Sequence, residues 1–181
     1  TLTSMLGIAL GVAALIVVLS VMNGFQKELR ARILGVASHI QITGVGDKLA
    51  SWQQVADEAG RHPSVQSAAP YVLGQGLLST DRGVQGALIR GVLPGLENRV
   101  ADIGQHMKIG SLDDLEPGAF RIVLGSELAH THGAYEGDKV VQIAPQGHVT
   151  PAGILPRLKQ FAIAGIFEVG MFVYDSGLGL I

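Results

Sequence analysis

Residues 2–26 read LTSMLGIALGVAALIVVLSVMNGFQ, and no charged side chain interrupts them. From Met5 to Met22 the run is apolar apart from its glycines and Ser20. A helix rises about 1.5 Å per residue, so about 20 apolar residues cross a hydrocarbon layer ~30 Å thick. Leu2–Met22 meets that requirement. A secretory signal peptide has a basic start, a shorter apolar stretch and a small-residue cleavage site. Here the stretch is too long and passes straight into an amphipathic segment. A core helix of a soluble protein is rarely this long and uncharged. Residues 1–23 therefore read as a transmembrane helix.

Working outward, Phe25, Leu29 and Ile33 recur every four residues, with polar residues opposite. Glu28 is spaced to pair with Arg32 at i,i+4. The pattern predicts that residues 24–35 continue the span as an amphipathic helix ending at Gly35. Inside the span, Gly7 and Gly11 have the G-x-x-x-G spacing that lets a second membrane helix approach closely, with Ser4 and Ala14 on nearly the same face. Lys27, Arg30 and Arg32 follow the span, and the positive-inside rule would put that end in the cytoplasm.

Residues 36–181 alternate short strands and helices. The expected strands are Ile40–Thr43 (half-buried), Val65–Leu78 (broken near Pro70), Val84–Val92 (buried), Ile122–Leu124, Lys139–Ala144 and Gln160–Glu168. The expected helices are Trp52–Arg61 and Ser126–Thr131, the second capped by Gly133. This is an α+β pattern with mostly antiparallel pairing. The chain starts with Thr and stops at Gly-Leu-Ile within an apparent strand, so it is expected to be a piece of a longer protein.

Bulk properties exclude several classes. The 181 residues are 48% hydrophobic, with a net charge of −2 and no basic cluster, which disfavours nucleic-acid binding. There is no cysteine, hence no disulfide, thiol nucleophile or Cys-based metal site. No P-loop G-x-x-x-x-G-K-[ST] occurs. His130 and His132 stand two apart, which is not the i,i+4 pair of a zinc helix, and they read as surface histidines. Asp113, Asp114 and Glu116 read as solvated helix-start residues. Gly125-Ser126 lacks the flanking glycines of a nucleophile elbow. No acid, base or nucleophile set points to a membrane-anchored enzyme.

The segment Pro145-Gln146-Gly147-His148-Val149-Thr150-Pro151-Ala152-Gly153-Ile154-Leu155-Pro156 lies between two expected strands. It reads as a loop that projects as an extended hairpin, stiffened by three prolines and carrying Val149, Ile154 and Leu155. A stiff, partly apolar projection loses little entropy on binding, which suits a protein partner.

The junction VLSVMNGFQKELRARILG, Val18 to Gly35, resembles the lipoprotein-releasing permeases of Gram-negative bacteria, the LolC/LolE family. SMLGIALGVAALIV before it is similar too, as are LGSELAHTHGAYEGDKV and TPAGILPRLKQFAIAGIFEVGMFVYDSGL after it. The Gly137-Asp138 pair before a strand recurs more widely, among macrolide-exporter-like permeases.

This resemblance implies a non-catalytic permease subunit of the bacterial inner membrane. Residues 36–181 would form an incomplete periplasmic core domain of the MacB type, and this orientation is followed over the opposite one that the positive-inside rule gives. Two permease subunits would pair with two cytoplasmic LolD-like ATPases, which use ATP and Mg; this chain would bind no cofactor. The complex would release lipoproteins to a soluble LolA-like chaperone for outer-membrane delivery. Met22 matches a methionine lining the cavity for the lipoprotein's acyl chains, with Val18, Val21 and Phe25 as neighbours on adjacent faces. Pro145–Pro156 matches the hook that captures the chaperone. Arg157 and Lys159 would supply its positive charge, while Val141 fills a position where the family carries arginine. The alternative is a permease of the same architecture for drug or peptide export or cell-wall signalling.

Overall fold

Helix α1, Leu2–Val36, runs unbroken through the apolar run and the amphipathic segment. The computed structural model describes residues 2–36, 40–150 and 153–181, with side chains except at 28–36, 47 and 145–155. Leu29, Ile33 and the Glu28–Arg32 pair therefore lie outside the described side chains, as does His39. Gly35 does not end the helix, which continues by one residue. Every described α1 side chain is exposed, and residues 2–27 are long and apolar enough to cross a membrane.

The domain that follows contains helix α2, Trp52–Gly60, and then a mixed sheet. Its strands are β1 Tyr71–Thr80, β2 Gly83–Val92, β3 Met107–Gly110, β4 Arg121–Gly125, β5 Lys139–Thr150, β6 Gly153–Phe167 and β7 Leu178–Leu180. Short helices α3 (Pro94–Glu97), α4 (Ser126–His132) and α5 (Phe172–Gly177) connect them. The order is β3-β6-β4-β7-β2-β1-β5, and β5 also pairs with β6. Six strands thus form a circuit, with β3 added beside β6. Only β2–β7 and β4–β6 are parallel; the other pairs are antiparallel. The α+β class with mostly antiparallel pairing stands.

Two apolar clusters lie on opposite faces of β4. Ile122 and Leu124 pack with Leu78, Ile89, Leu128, Val140, Phe161 and Ile163. Val123 points the other way, towards Ile103, Leu112, Leu115, Phe167, Leu178 and Leu180. A strand covered on both faces reads as a continuous apolar run, which Ile122–Leu124 does.

Several expectations need correction. Ile40–Thr43 forms no strand: the segment is irregular and exposed and has no partner in the sheet. Alternation alone therefore marked a strand where no ladder forms. Val65–Pro70 is irregular, and β1 starts only after Pro70. Proline has no N–H to give a ladder, so it suits the position before a strand. Val84–Val92 is half-buried rather than buried: Ala87 and Ile89 face the core, while Val84 and Leu88 face out.

Helix α4 begins at Ser126 and stops at Gly133, whose φ of 54° is left-handed. Gly137, with φ 88°, makes the next turn. The Asp138 carboxylate accepts from the Tyr135 backbone N–H at 2.8 Å, and Gly137 N–H donates to the Ile163 carbonyl. The Gly-Asp pair is thus a turn that feeds β5 onto β6.

Candidate functional site

Three regions carry the residues singled out by sequence: one face of α1, the far end of the β5–β6 pair, and α4. On a helix with 3.6 residues per turn, Val18, Val21, Met22 and Phe25 fall within an arc of about 100°. They form one broad stripe along the helix. Ser4, Gly7, Gly11 and Ala14 fall in the same arc, so small residues occupy one half of the stripe and larger apolar ones the other. All four larger side chains are more than half exposed. A Cβ added at Gly7 or Gly11 meets nothing within 4 Å. Among the described residues, none covers this stripe.

Pro145–Pro156 is not a loop. Strands β5 and β6 continue through it, with pairs His148↔Leu155, Val149↔Ile154 and Thr150↔Gly153. Pro151 and Ala152 lie outside the described residues. The hairpin projection expected from the sequence is therefore a two-stranded ribbon. Its register shifts between Ala144↔Arg157 and His148↔Leu155, so that residues 145–147 stand opposite Pro156 alone. Pro145 and Pro156 lack the N–H a ladder needs, and extra residues in one strand make a bulge that bends a pair of strands. The two prolines thus coincide with this irregular stretch of the ladder, the elbow of the ribbon.

Arg157, Leu158 and Lys159 are exposed at the ribbon's root. Arg157 and Lys159 share one face by the period-2 alternation of a strand. The Lys159 ammonium sits 3.3 Å from the centroid of the Phe120 ring. Phe120 meets Phe161 edge-on, at 6.2 Å and 74°. Sequence reasoning missed Phe120, because only the fold brings it beside β6.

The histidines of α4 separate. His130 is exposed, but His132 is buried, which corrects the surface reading. Its Nδ1 lies 3.0 Å from Thr80 Oγ1, and its Nε2 has no hydrogen-bond partner among the described residues. Burial holds its pKa below the ordinary value. Among the described residues, no group of His, Asp or Glu is placed to hold a metal ion. Asp113 and Asp114 lie in the short turn Leu112–Asp114 as expected of helix-start residues. There Ser111 Oγ accepts from the Asp113 N–H, and Asp114 accepts from the Ser111 N–H. Nothing in this arrangement brings a nucleophile, base and acid together.

The sequence profile of the MacB-like periplasmic core domain matches residues 1–178. The chain is similar to the lipoprotein-releasing system transmembrane protein LolC of Neisseria meningitidis serogroup B. The two are 45% identical over 180 residues, which is 99% of this chain and 43% of that protein. LolC of Xylella fastidiosa (strain 9a5c) is 42% identical over 181 residues, 100% of this chain and 44% of that protein. The lipoprotein-releasing system transmembrane protein LolE of Haemophilus influenzae is 31% identical over 180 residues, 97% of this chain and 43% of that protein. The chain spans less than half the length of these curated relatives.

Proposed function

The chain belongs to the family of MacB-like periplasmic core domains, and from that premise we propose that it is part of a permease subunit of an ATP-driven lipoprotein-releasing complex. The 45% identity to a LolC protein across almost the whole chain carries this reading. In it, α1 spans the inner membrane and the domain faces the periplasm. The small half of the stripe, Gly7 and Gly11, packs against a second membrane helix. The larger half, Val18, Val21, Met22 and Phe25, lines a cavity for acyl chains. Where small residues draw two helices together and bulkier ones hold them apart, a wedge-shaped apolar space opens. Met22 suits its wall, because a methionine side chain adapts to varied hydrocarbon.

The β5–β6 ribbon, residues 145–156, projects to a soluble LolA-like chaperone, with Arg157 near its root. ATP hydrolysis takes place in a separate LolD-like subunit, and a second permease subunit completes the cavity. The unbroken α1 links the cavity to the domain, so motion in the bilayer reaches the ribbon through one rigid element.

The test is to deplete the full-length protein in its host, separate inner and outer membranes, and blot several outer-membrane lipoproteins. They are expected to accumulate in the inner membrane while other outer-membrane proteins sort normally. An unchanged distribution, with no paralogue able to substitute, would assign the chain to another permease of the same architecture.

A further inference from the structure

We propose that Lys159 and Phe120 form a clamp that fixes the root of the β5–β6 ribbon to the body of the domain, making both of them positioning residues for the ribbon. The proposal rests on the reading of the ribbon as the partner-binding element.

On β5, pairing with β1 covers only residues 141–143, through Ser79↔Val141, Leu78↔Gln142 and Leu77↔Ile143. On β6, pairing with β4 begins at Arg121↔Ala162. Among the described residues, 157–161 of β6 therefore have β5 on one side and no strand on the other. Phe120, the residue just before β4, stands at that side. Its ring takes the Lys159 ammonium on its face, 3.3 Å from the centroid, and meets the buried Phe161 at its edge. A cation over an aromatic face is attracted by the ring quadrupole. The contact sits on the rung Gln142↔Lys159, two residues before the ladder becomes irregular at the proline elbow.

The backbone of Phe120 supports this assignment. Its φ is 50°, and it is the only non-glycine residue with positive φ among the described residues. A bulky side chain in the left-handed region is strained, and such strain persists only where its surroundings hold it. The Phe120 carbonyl accepts from the Ala162 N–H at 2.9 Å, which fixes the peptide against β6. The strained turn places the ring beside Lys159. In this arrangement the exposed Lys159 charge lies against a ring of its own chain.

The experiment compares K159M, F120L and the double variant in the full-length permease, reconstituted in nanodiscs. F120G, which suits the backbone at φ 50°, guards against misfolding as the cause of an F120L effect. Hydrogen exchange is read on residues 140–144 and 157–161, and binding is read with a purified LolA-type chaperone. The clamp predicts about two- to five-fold faster exchange at the root in each single variant, the range expected of an exposed cation–π contact. It predicts no further increase in the double variant, and a matching, non-additive loss of chaperone binding. Unchanged exchange in K159M and F120L overturns the clamp. So does a binding loss in K159M that F120L does not reproduce, since Lys159 would then touch the partner itself. Faster exchange with undiminished binding upholds the clamp and refutes the ribbon's role in chaperone capture.

Discussion

Glu97 has no exposed surface, and what holds it is Arg90, whose guanidinium Nη2 lies 3.0 Å from its Oε1. Burial pushes the Glu97 carboxyl above its ordinary range, and Arg90 pulls it back. Arg90 also lies over the Tyr71 ring, 4.6 Å from its centroid. R90M leaves a carboxyl buried without its cation and is expected to cost about 3–5 kcal/mol in urea unfolding. E97Q should cost clearly less. His132 supplies a second prediction, with the opposite charge. Its folded pKa lies below the ordinary 6.5, so the unfolded chain takes up a proton that the folded chain refuses. Stability is full above about pH 6.5 and falls as the pH drops towards the depressed value. Thermal melts from pH 7.5 to 5.5 should show this loss, and H132Q should reduce it. Neither residue announces itself in the sequence. Glu97 follows Pro-Gly-Leu like any surface turn, and His132 has the spacing of an exposed helix position. His132 meets Thr80, which is remote in sequence, and Glu97 meets Arg90 across a turn whose path no local pattern gives.

Elements were legible where local chemistry sets their limits. Helix α4 has its left-handed glycine at Gly133, and β4 has three consecutive buried aliphatic residues, Ile122–Leu124. Elements were misread where distant partners decide. Ile40–Thr43 alternates but pairs with nothing in the sheet, whereas residues 145–156 look like a loop yet extend a ladder. The Pro and Gly content of that segment is real punctuation, but it marks an elbow within a ribbon. The junction of β4 and α4 gives a direct test. A Cβ at the buried Gly125 would collide with the Asp175 backbone of α5. G125A is expected to destabilise the domain by about 1–3 kcal/mol, as overpacking does. G24A, where an added Cβ meets nothing within 4 Å, should leave stability unchanged or slightly raised.

The circuit of strands belongs to the whole molecule and could not be read from local pattern. It is closed by Leu88↔Leu178, across the parallel β2–β7 pair, and by β6, which pairs with three strands. The long apolar helix was the most legible part, because an uncharged run long enough to cross a bilayer is a strong local signal. In the proposed function the unbroken α1 joins a membrane anchor to the domain. G24P would interrupt the helix where the apolar run gives way to the amphipathic one, at a cost of about 3 kcal/mol. The variant is expected to assemble with its ATPase and retain hydrolysis while lipoprotein release falls at least tenfold in spheroplasts. Release at the wild-type rate would refute mechanical coupling through α1.

The ribbon also has the geometry of a lever. From the rung at Lys159 to the turn it runs about six residues, or roughly 20 Å at ~3.3 Å per residue. A tilt of about 10° at the fulcrum would sweep the tip through roughly 3 Å, about one hydrogen-bond length. In the proposed function, aim at the far end therefore depends on stiffness at the near end, and a substitution that never meets the partner can throw the tip off target.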